Sequence, residues 1–191
     1  MTKQPFLKTL MTVIISFLFI TPNTQAQSLK INPKASSMTI YGTTNVHDFK
    51  TNVQQIKGEL VINSAKKVQS ANIEIPVHSI KSGEKLMDNK TYEAFNDVKY
   101  PNILFSLVDL TSLQINGDDI SAVVNGNLTM AGVTRKISFK TSGKNTKPGV
   151  YVFKGSVALK MTDYKMKPPT AMLGVMKVGD AITLKYDVTF E

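Results

Sequence analysis

The side chains of this chain with chemistry to offer are two histidines, nine methionines and a scatter of lysines; cysteine is absent. His47 is followed by Asp48, the residue types of a general base and its orienting carboxylate. In an extended chain, neighbouring side chains leave opposite faces, so Asp48 does not stand behind His47. No Gly-x-Ser-x-Gly elbow, phosphate loop or metal-ligand cluster accompanies the pair. The expectation is a protein without catalytic residues. Met87, Met161, Met172 and Met176 leave three readings open. Thioethers adapt to irregular apolar shapes, which suits either plain core filling or a mouth that opens and recloses around a floppy tail. Clustered thioethers with imidazole also select Cu(I), but His47 and His78 stand in no recognisable ligand spacing, and no metal residue is assigned.

Three of those methionines lie in Met161 to Asp180, MTDYKMKPPTAMLGVMKVGD, an apolar segment without strand periodicity between two that alternate. Before it come Tyr151, Phe153, Val157 and Leu159; after it Ile182, Leu184, Tyr186, Val188 and Phe190. Such period-2 runs mark half-buried strands. Structureless loops beyond about 12–15 residues are usually functional or disordered, and this one is too apolar for a solvated linker. It reads as a lid, with Lys165, Lys167 and Lys177 as candidate contacts for an anionic head group.

The first residues read as an address rather than a fold. Lys3 and Lys8 precede an apolar run from Leu10 to Ile20, and Thr24-Gln25-Ala26 offers a small-residue cleavage site. Residues 1–26 are therefore expected to be a secretory signal peptide and residues 27–191 one exported domain, periplasmic and free of stable membrane insertion. The apolar run is shorter than the roughly 18–20 residues of a spanning helix. Lack of cysteine excludes a disulfide framework, a thiolate zinc site and a lipidated cysteine. Without Lys3 and Lys8 the net charge falls from +9 to about +7. That balance favours anionic partners or simply a well-solvated surface; with lysines scattered and an export signal present, nucleic acid is not expected.

Most of the remaining chain alternates. Ser28 to Asn32 is a short strand stopped by Pro33; Ser37 to Tyr41 runs on through Gly42. Ile56, Gly58, Leu60 and Ile62 share a face, as do Ala71, Ile73, Ile75 and Val77. Ile103 to Thr111 leads to a turn at Asn116-Gly117-Asp118. Ile120, Ala122, Val124, Leu128 and Met130 form the next apolar face, followed by Ala131-Gly132, then Ile137 and Phe139, and a turn within Lys144 to Gly149. Eight or nine antiparallel strands with one apolar face each predict an all-β closed barrel, since closure removes exposed edges. Gly83 to Asn96 lacks alternation and is rich in helix formers. It is expected to be a short helix offering Leu86, Met87, Tyr92 and Phe95 and capping one end beside or opposite the lid.

Three separated stretches carry a resemblance. Asn96-Asp97-Val98-Lys99-Tyr100-Pro101-Asn102-Ile103-Leu104-Phe105 resembles the segment after the helix in the YceI family of exported lipid-binding or polyisoprenoid-binding proteins, where a Tyr-Pro pair opens a strand ending in Phe. Gly126-Asn127-Leu128-Thr129-Met130-Ala131-Gly132-Val133-Thr134-Arg135 is similar to that family's glycine-framed strand and turn. Thr162-Asp163-Tyr164 through Gly179-Asp180 to Phe190 resembles its ending. With Gly42 to Phe49, these cover essentially all of residues 27–191 in family order. The resemblance implies a lipocalin-like antiparallel barrel whose tunnel holds a long isoprenoid chain. Many members have an Arg followed by Asp-Phe-Gly where this chain has Met161-Thr162-Asp163-Tyr164-Lys165, so a head-group contact from that arginine is not carried over.

A small barrel either fills its interior with side chains or leaves room for one slender ligand. Inward candidates are Ile73, Ile75, Phe105, Leu107 and Leu128, then Met130, Phe139, Phe153, Leu184 and Tyr186. Met87 and Phe95 join them from the helix, and Met161, Met172 and Met176 from the lid. The alternation alone fits a filled and a hollow barrel equally. The expected ligand is an isoprenoid amphiphile, a polyprenyl phosphate or quinone, bound without a cofactor and carried, stored or sensed. A different hydrophobic ligand, a protein partner, a homodimer and a Met-rich copper protein stay open as alternatives.

Overall fold

The computed structural model describes residues 26–63 and 67–191. The expected signal peptide, apart from Ala26, lies outside them. Among the described residues, twelve strands and one α-helix follow in the order β1 (Gln27–Lys30), β2 (Ser37–Thr44), β3 (Asp48–Val53), β4 (Lys57–Ile62), β5 (Val68–Pro76), β6 (Ile80–Lys81), α1 (Lys85–Phe95), β7 (Asn102–Asn116), β8 (Asp119–Met130), β9 (Val133–Lys147), β10 (Val150–Lys160), β11 (Thr170–Ala171) and β12 (Met176–Phe190). Every strand pairing is antiparallel. The all-β class follows the alternation.

Twelve strands exceed the eight or nine expected because three staves of the sheet are interrupted. Between β1 and β2, Pro33 opens a 3-10 turn whose first amides are capped by the Asn32 side chain at 2.9 and 3.2 Å. A second break separates β3 from β4, and a 3-10 turn at Val77–Ser79 separates β5 from β6. The breaks are stitched together: the Gln54 amide donates to the Ser79 carbonyl at 2.8 Å. Broken staves still run in line, with β4 and β3 along β1 and β2, and β5 and β6 along β4 and β3.

The pairing continues β5–β7–β8–β9–β10–β12–β2. Closure comes from the end of β1 on the end of β12: Ile31 bridges Phe190, and Lys30 and Glu191 exchange two backbone hydrogen bonds at 2.8 and 2.9 Å. A closed ring leaves no long edge for another chain to pair with.

Helix α1 is shorter than the 83–96 span expected. Glu84 opens it, and Asn96, in the left-handed region at φ 51°, ends it and receives the amides of Lys99 and Tyr100 on its carbonyl. Tyr92 and Phe95 face inward, whereas Leu86, expected as an apolar contact, is 58% exposed. The Asp88 carboxylate accepts the Ser82 amide and hydroxyl, both at 2.7 Å, and pairs with Lys81 at 3.7 Å. Lys81 in turn donates to the Tyr92 hydroxyl. These contacts hold the helix across one end of the barrel.

The segment expected as a twenty-residue lid is shorter and more regular. It begins with a 3-10 turn at Met161–Tyr164, forms β11, turns again at Met172–Gly174, and by Met176 has already entered β12. β11 folds back on β12 with Thr170 opposite Lys177 and Ala171 opposite Met176. Both ends are pinned. Asp180 accepts the Thr162 amide at 2.9 Å and its hydroxyl at 2.7 Å, and Asn45 bonds Val175 and Lys177 across from β2.

Candidate functional site

The barrel is hollow. A cavity of about 270 Å³ runs through it, near the lower end of the roughly 300–1,000 Å³ usual for small-molecule sites. Apart from Gly117, Asp118, Thr141 and Asn145, all of its lining residues are aliphatic, aromatic or methionine. Those polar exceptions gather at one end, at the β7–β8 turn and the facing parts of β9. The opposite end lies under α1, where Phe95 and Met130 form part of the wall.

The interior stays open because its rings lie flat on the wall. Phe105, on β7, covers Gly126 of β8; a Cβ at Gly126 would sit 2.3 Å from the ring. Tyr186, on β12, covers Gly155 of β10, and Phe153 covers Gly143 of β9, with added Cβ atoms 2.3 and 2.5 Å from the aromatic side chain. Glycine in a strand interior often marks such a close approach. Laid across β8 and β10, Phe105 and Tyr186 both reach Phe139 on β9, with ring centroids 5.9 and 6.1 Å apart in tilted and edge-on contacts favoured by the ring quadrupole. Three large side chains thus tile one side of the lumen instead of meeting across it. The Tyr186 hydroxyl brings a polar atom into this wall; burial raises its pKa, while a hydrogen bond with Thr141 works against that rise.

A second, smaller cavity of about 60 Å³ lies between α1 and the lid, against Met87, Phe95, Met130, Met161, Met166 and Pro169 among others. Ile40, Phe95, Met130 and Ile182 line both spaces.

The histidines are engaged elsewhere. His47 is exposed and its Nδ1 meets the Asp48 backbone carbonyl at 2.9 Å, not the carboxylate. His78 stacks on Tyr92 with centroids 4.2 Å apart and pairs with Asp97. Among the described residues, no group of three or more His, Asp or Glu side chains is arranged to hold a metal ion. No described helix is long and apolar enough to cross a membrane.

The motifs singled out in the sequence meet at the capped end. Tyr100, of the Tyr-Pro pair, lays its ring over Gly132, where a Cβ would be 2.4 Å away; Gly132 sits at φ 76° in the turn after β8. The Pro101 carbonyl accepts the Val77 amide at 2.8 Å. Arg135 Nε donates to the Asp163 carbonyl at 2.8 Å, tying the β8–β9 hairpin to the lid. A family model described as a YceI-like domain matches residues 29–190. The chain belongs to the YceI-like domain family. No curated protein matches the sequence significantly. The fold is similar to that of Burkholderia cenocepacia BcnA, with a TM-score of 0.67 and 17% identity over 83% of this chain and 98% of that one. A polyisoprenoid binding domain from Saccharophagus degradans gives 0.68 and 16% over 85% and 97%. A Campylobacter jejuni YceI protein gives 0.59 and 20% over 73% and 82%.

Against this YceI-like frame, the inward candidates fall into groups. Ile73, Ile75, Phe105, Leu107, Leu128, Met130, Phe139, Phe153, Leu184, Tyr186 and Phe95 line the large cavity. Met87 and Met161 line only the smaller one. Met176 is half-buried and lines neither, because its place opposite Ala171 puts it in the β11–β12 ribbon; the Met172 side chain is outside the described set. Lys165, Lys167 and Lys177 are exposed and line neither cavity. They stand on the solvent side of a lid whose Met161, Tyr164 and Met166 are buried. The sequence reading missed Met38, Ile40, Val53, Leu60 and Ile62 as lining residues, and it missed the glycines. Mid-strand Gly126, Gly143 and Gly155 were the available signal.

Proposed function

We propose that this YceI-like protein is exported to the periplasm and holds an isoprenoid amphiphile, a polyprenyl phosphate or a quinone, without acting on it chemically. The observation that carries the reading is the apolar cavity that the wall-lying rings keep open. An apolar tail needs little more than such a tube, since each Å² removed from water is worth roughly 25 cal/mol before ordering costs. The tail runs toward α1, and the head group rests at the β7–β8 end beside Asp118, Thr141 and Asn145. A carrier, store or sensor can all use this arrangement. The ability of a Saccharophagus degradans domain of similar fold to bind polyisoprenoid supports the choice of ligand.

Native mass spectrometry of protein purified from its own type of host, with lipid extraction, tests the reading. Co-purification or uptake of a prenyl compound, one per chain, is the expected result. Absence of both co-purifying lipid and uptake of added prenyl alcohols or quinones sinks it.

A further inference from the structure

The smaller cavity has no part in the reading above, yet its walls and its polar groups say what it would accept. It adjoins the large cavity through four shared apolar side chains, Ile40, Phe95, Met130 and Ile182. Its volume of about 60 Å³ is several times the roughly 10–15 Å³ that one water requires. Met87, Met161 and Met166 bring three thioethers to it, side chains that reshape themselves around an irregular apolar guest. The polar residues on its wall are largely occupied: the Ser82 hydroxyl donates to Asp88 at 2.7 Å, Lys90 donates to Glu93 at 2.7 Å, and the Thr91 hydroxyl donates to the Met87 carbonyl at 3.0 Å. Such a chamber offers a guest van der Waals contact and little hydrogen bonding. It suits the end of a tail and not a head group.

We propose that this chamber is a closed-off extension of the lipid tunnel, and that Phe95 with Met130 forms the stop between the two that fixes the longest isoprenoid tail the barrel accepts. The inference rests on the lipid-holding reading above and adds chain-length selection to it. Phe95 is the last residue of α1, and α1 is anchored through Asp88 and Tyr92, so the ring is held against the tunnel by the helix and not by a strand. Met130, the last residue of β8, meets it from the barrel wall and has the rotatable bonds to yield first. With the stop in place a tail ends beneath the helix. With the stop cut back, the tail extends between α1 and the lid.

The test uses the protein from residue 27 onward, delipidated, and a ladder of all-trans polyprenyl alcohols of increasing length, read by native mass spectrometry in competition. The native chain is expected to show a length limit. Phe95→Ala should move that limit upward by at least about one isoprene unit, and occupancy by the first excluded homologue should rise about tenfold, the gain from burying roughly two further methylene groups. Phe95→Leu, a milder change, should give a smaller shift in the same direction and keeps the test valid if the alanine variant does not fold. Uptake by the native chain with an unshifted limit in folded Phe95→Leu and Met130→Ala variants would overturn the inference alone. Failure of the native chain to take up any homologue would overturn the lipid reading and the inference together.

Discussion

The two ends of the barrel are built on opposite terms. Under the helix and lid, side chains are shut away from solvent around the small chamber, with Val77 0%, Ile80 1% and Tyr164 2% exposed. At the β7–β8 end, Leu113 and Ile115 line the cavity yet are 44% and 55% exposed. Both regions have apolar sequences. What differs is the covering: one end receives a helix, a lid and a set of hydrogen-bonded anchors, and the other ends in bare hairpin turns. A hollow barrel needs such an asymmetry, because the packed end supplies stability that the empty lumen and open mouth do not.

The strongest way to break the comparison is to empty the packed end. Ile80→Ala should cost about 2–5 kcal/mol, the usual range for truncating a buried aliphatic side chain, and chemical denaturation measures it. Ile115→Ala, at the open end, should stay within about 0.5 kcal/mol, as exposed positions do; equal losses at both sites would mean the ends are not built differently. Next in size is Gly126→Ala. Its new methyl would collide with the Phe105 ring, and overpacking of this kind costs about 1–3 kcal/mol. Because the ring must swing into the lumen, lipid uptake should fall along with stability, and a variant that loses stability while retaining full uptake would separate the two.

Acid should loosen the packed end first. Burial pushes the Asp88 carboxyl up, but hydrogen bonds from the Ser82 amide and hydroxyl and the charge of Lys81 together hold it below its ordinary value of 3.8. Hydrogen bonds from the Thr162 hydroxyl and amide likewise lower Asp180. Groups with lowered folded-state pKa stabilise fully above the unfolded value and lose that contribution as pH falls through the folded one. Helix and lid should therefore lose protection against hydrogen exchange below about pH 4, ahead of β7 to β10. The smallest effect is expected at Tyr164, whose buried hydroxyl finds no hydrogen-bond partner in the structure. Burial raises its pKa, the Asp163 charge adds to the rise and Arg135 opposes it. Tyr164→Phe removes an unpaired buried polar atom, so thermal melts should show no loss, or a gain of up to about 1 kcal/mol.

Much of this was legible in the chain, and the reason is period. β8 alternates buried and half-buried residues from Ala122 to Met130 without a break, and β12 keeps Ile182, Leu184, Tyr186, Val188 and Phe190 on the lumen side. Such runs identify strands and their inner faces before any contact is known. The helix was legible by its lack of alternation, and the lid by its composition, although β12 claims its last residues. The break at Pro33 was legible as well; less visible were the breaks between β3 and β4 and at Val77, where a 3-10 turn leaves the apolar pattern intact on either side.

The sequence by itself determined that the chain is β, that its strands have one apolar face, and that one helix and one methionine-bearing segment depart from the rule. It could not decide whether the apolar faces meet in a filled core or stand apart around a cavity, since alternation is the same in both. Tertiary structure decided that through Gly126, Gly143 and Gly155, which let rings from neighbouring strands lie against the wall. Tertiary structure also decided which way the lid presents its side chains. Asn45 and Asp180 pin its ends so that Met161 and Met166 turn inward and Lys165, Lys167 and Lys177 stay in solvent. Both outcomes depend on contacts between residues far apart in the chain, which no local pattern encodes.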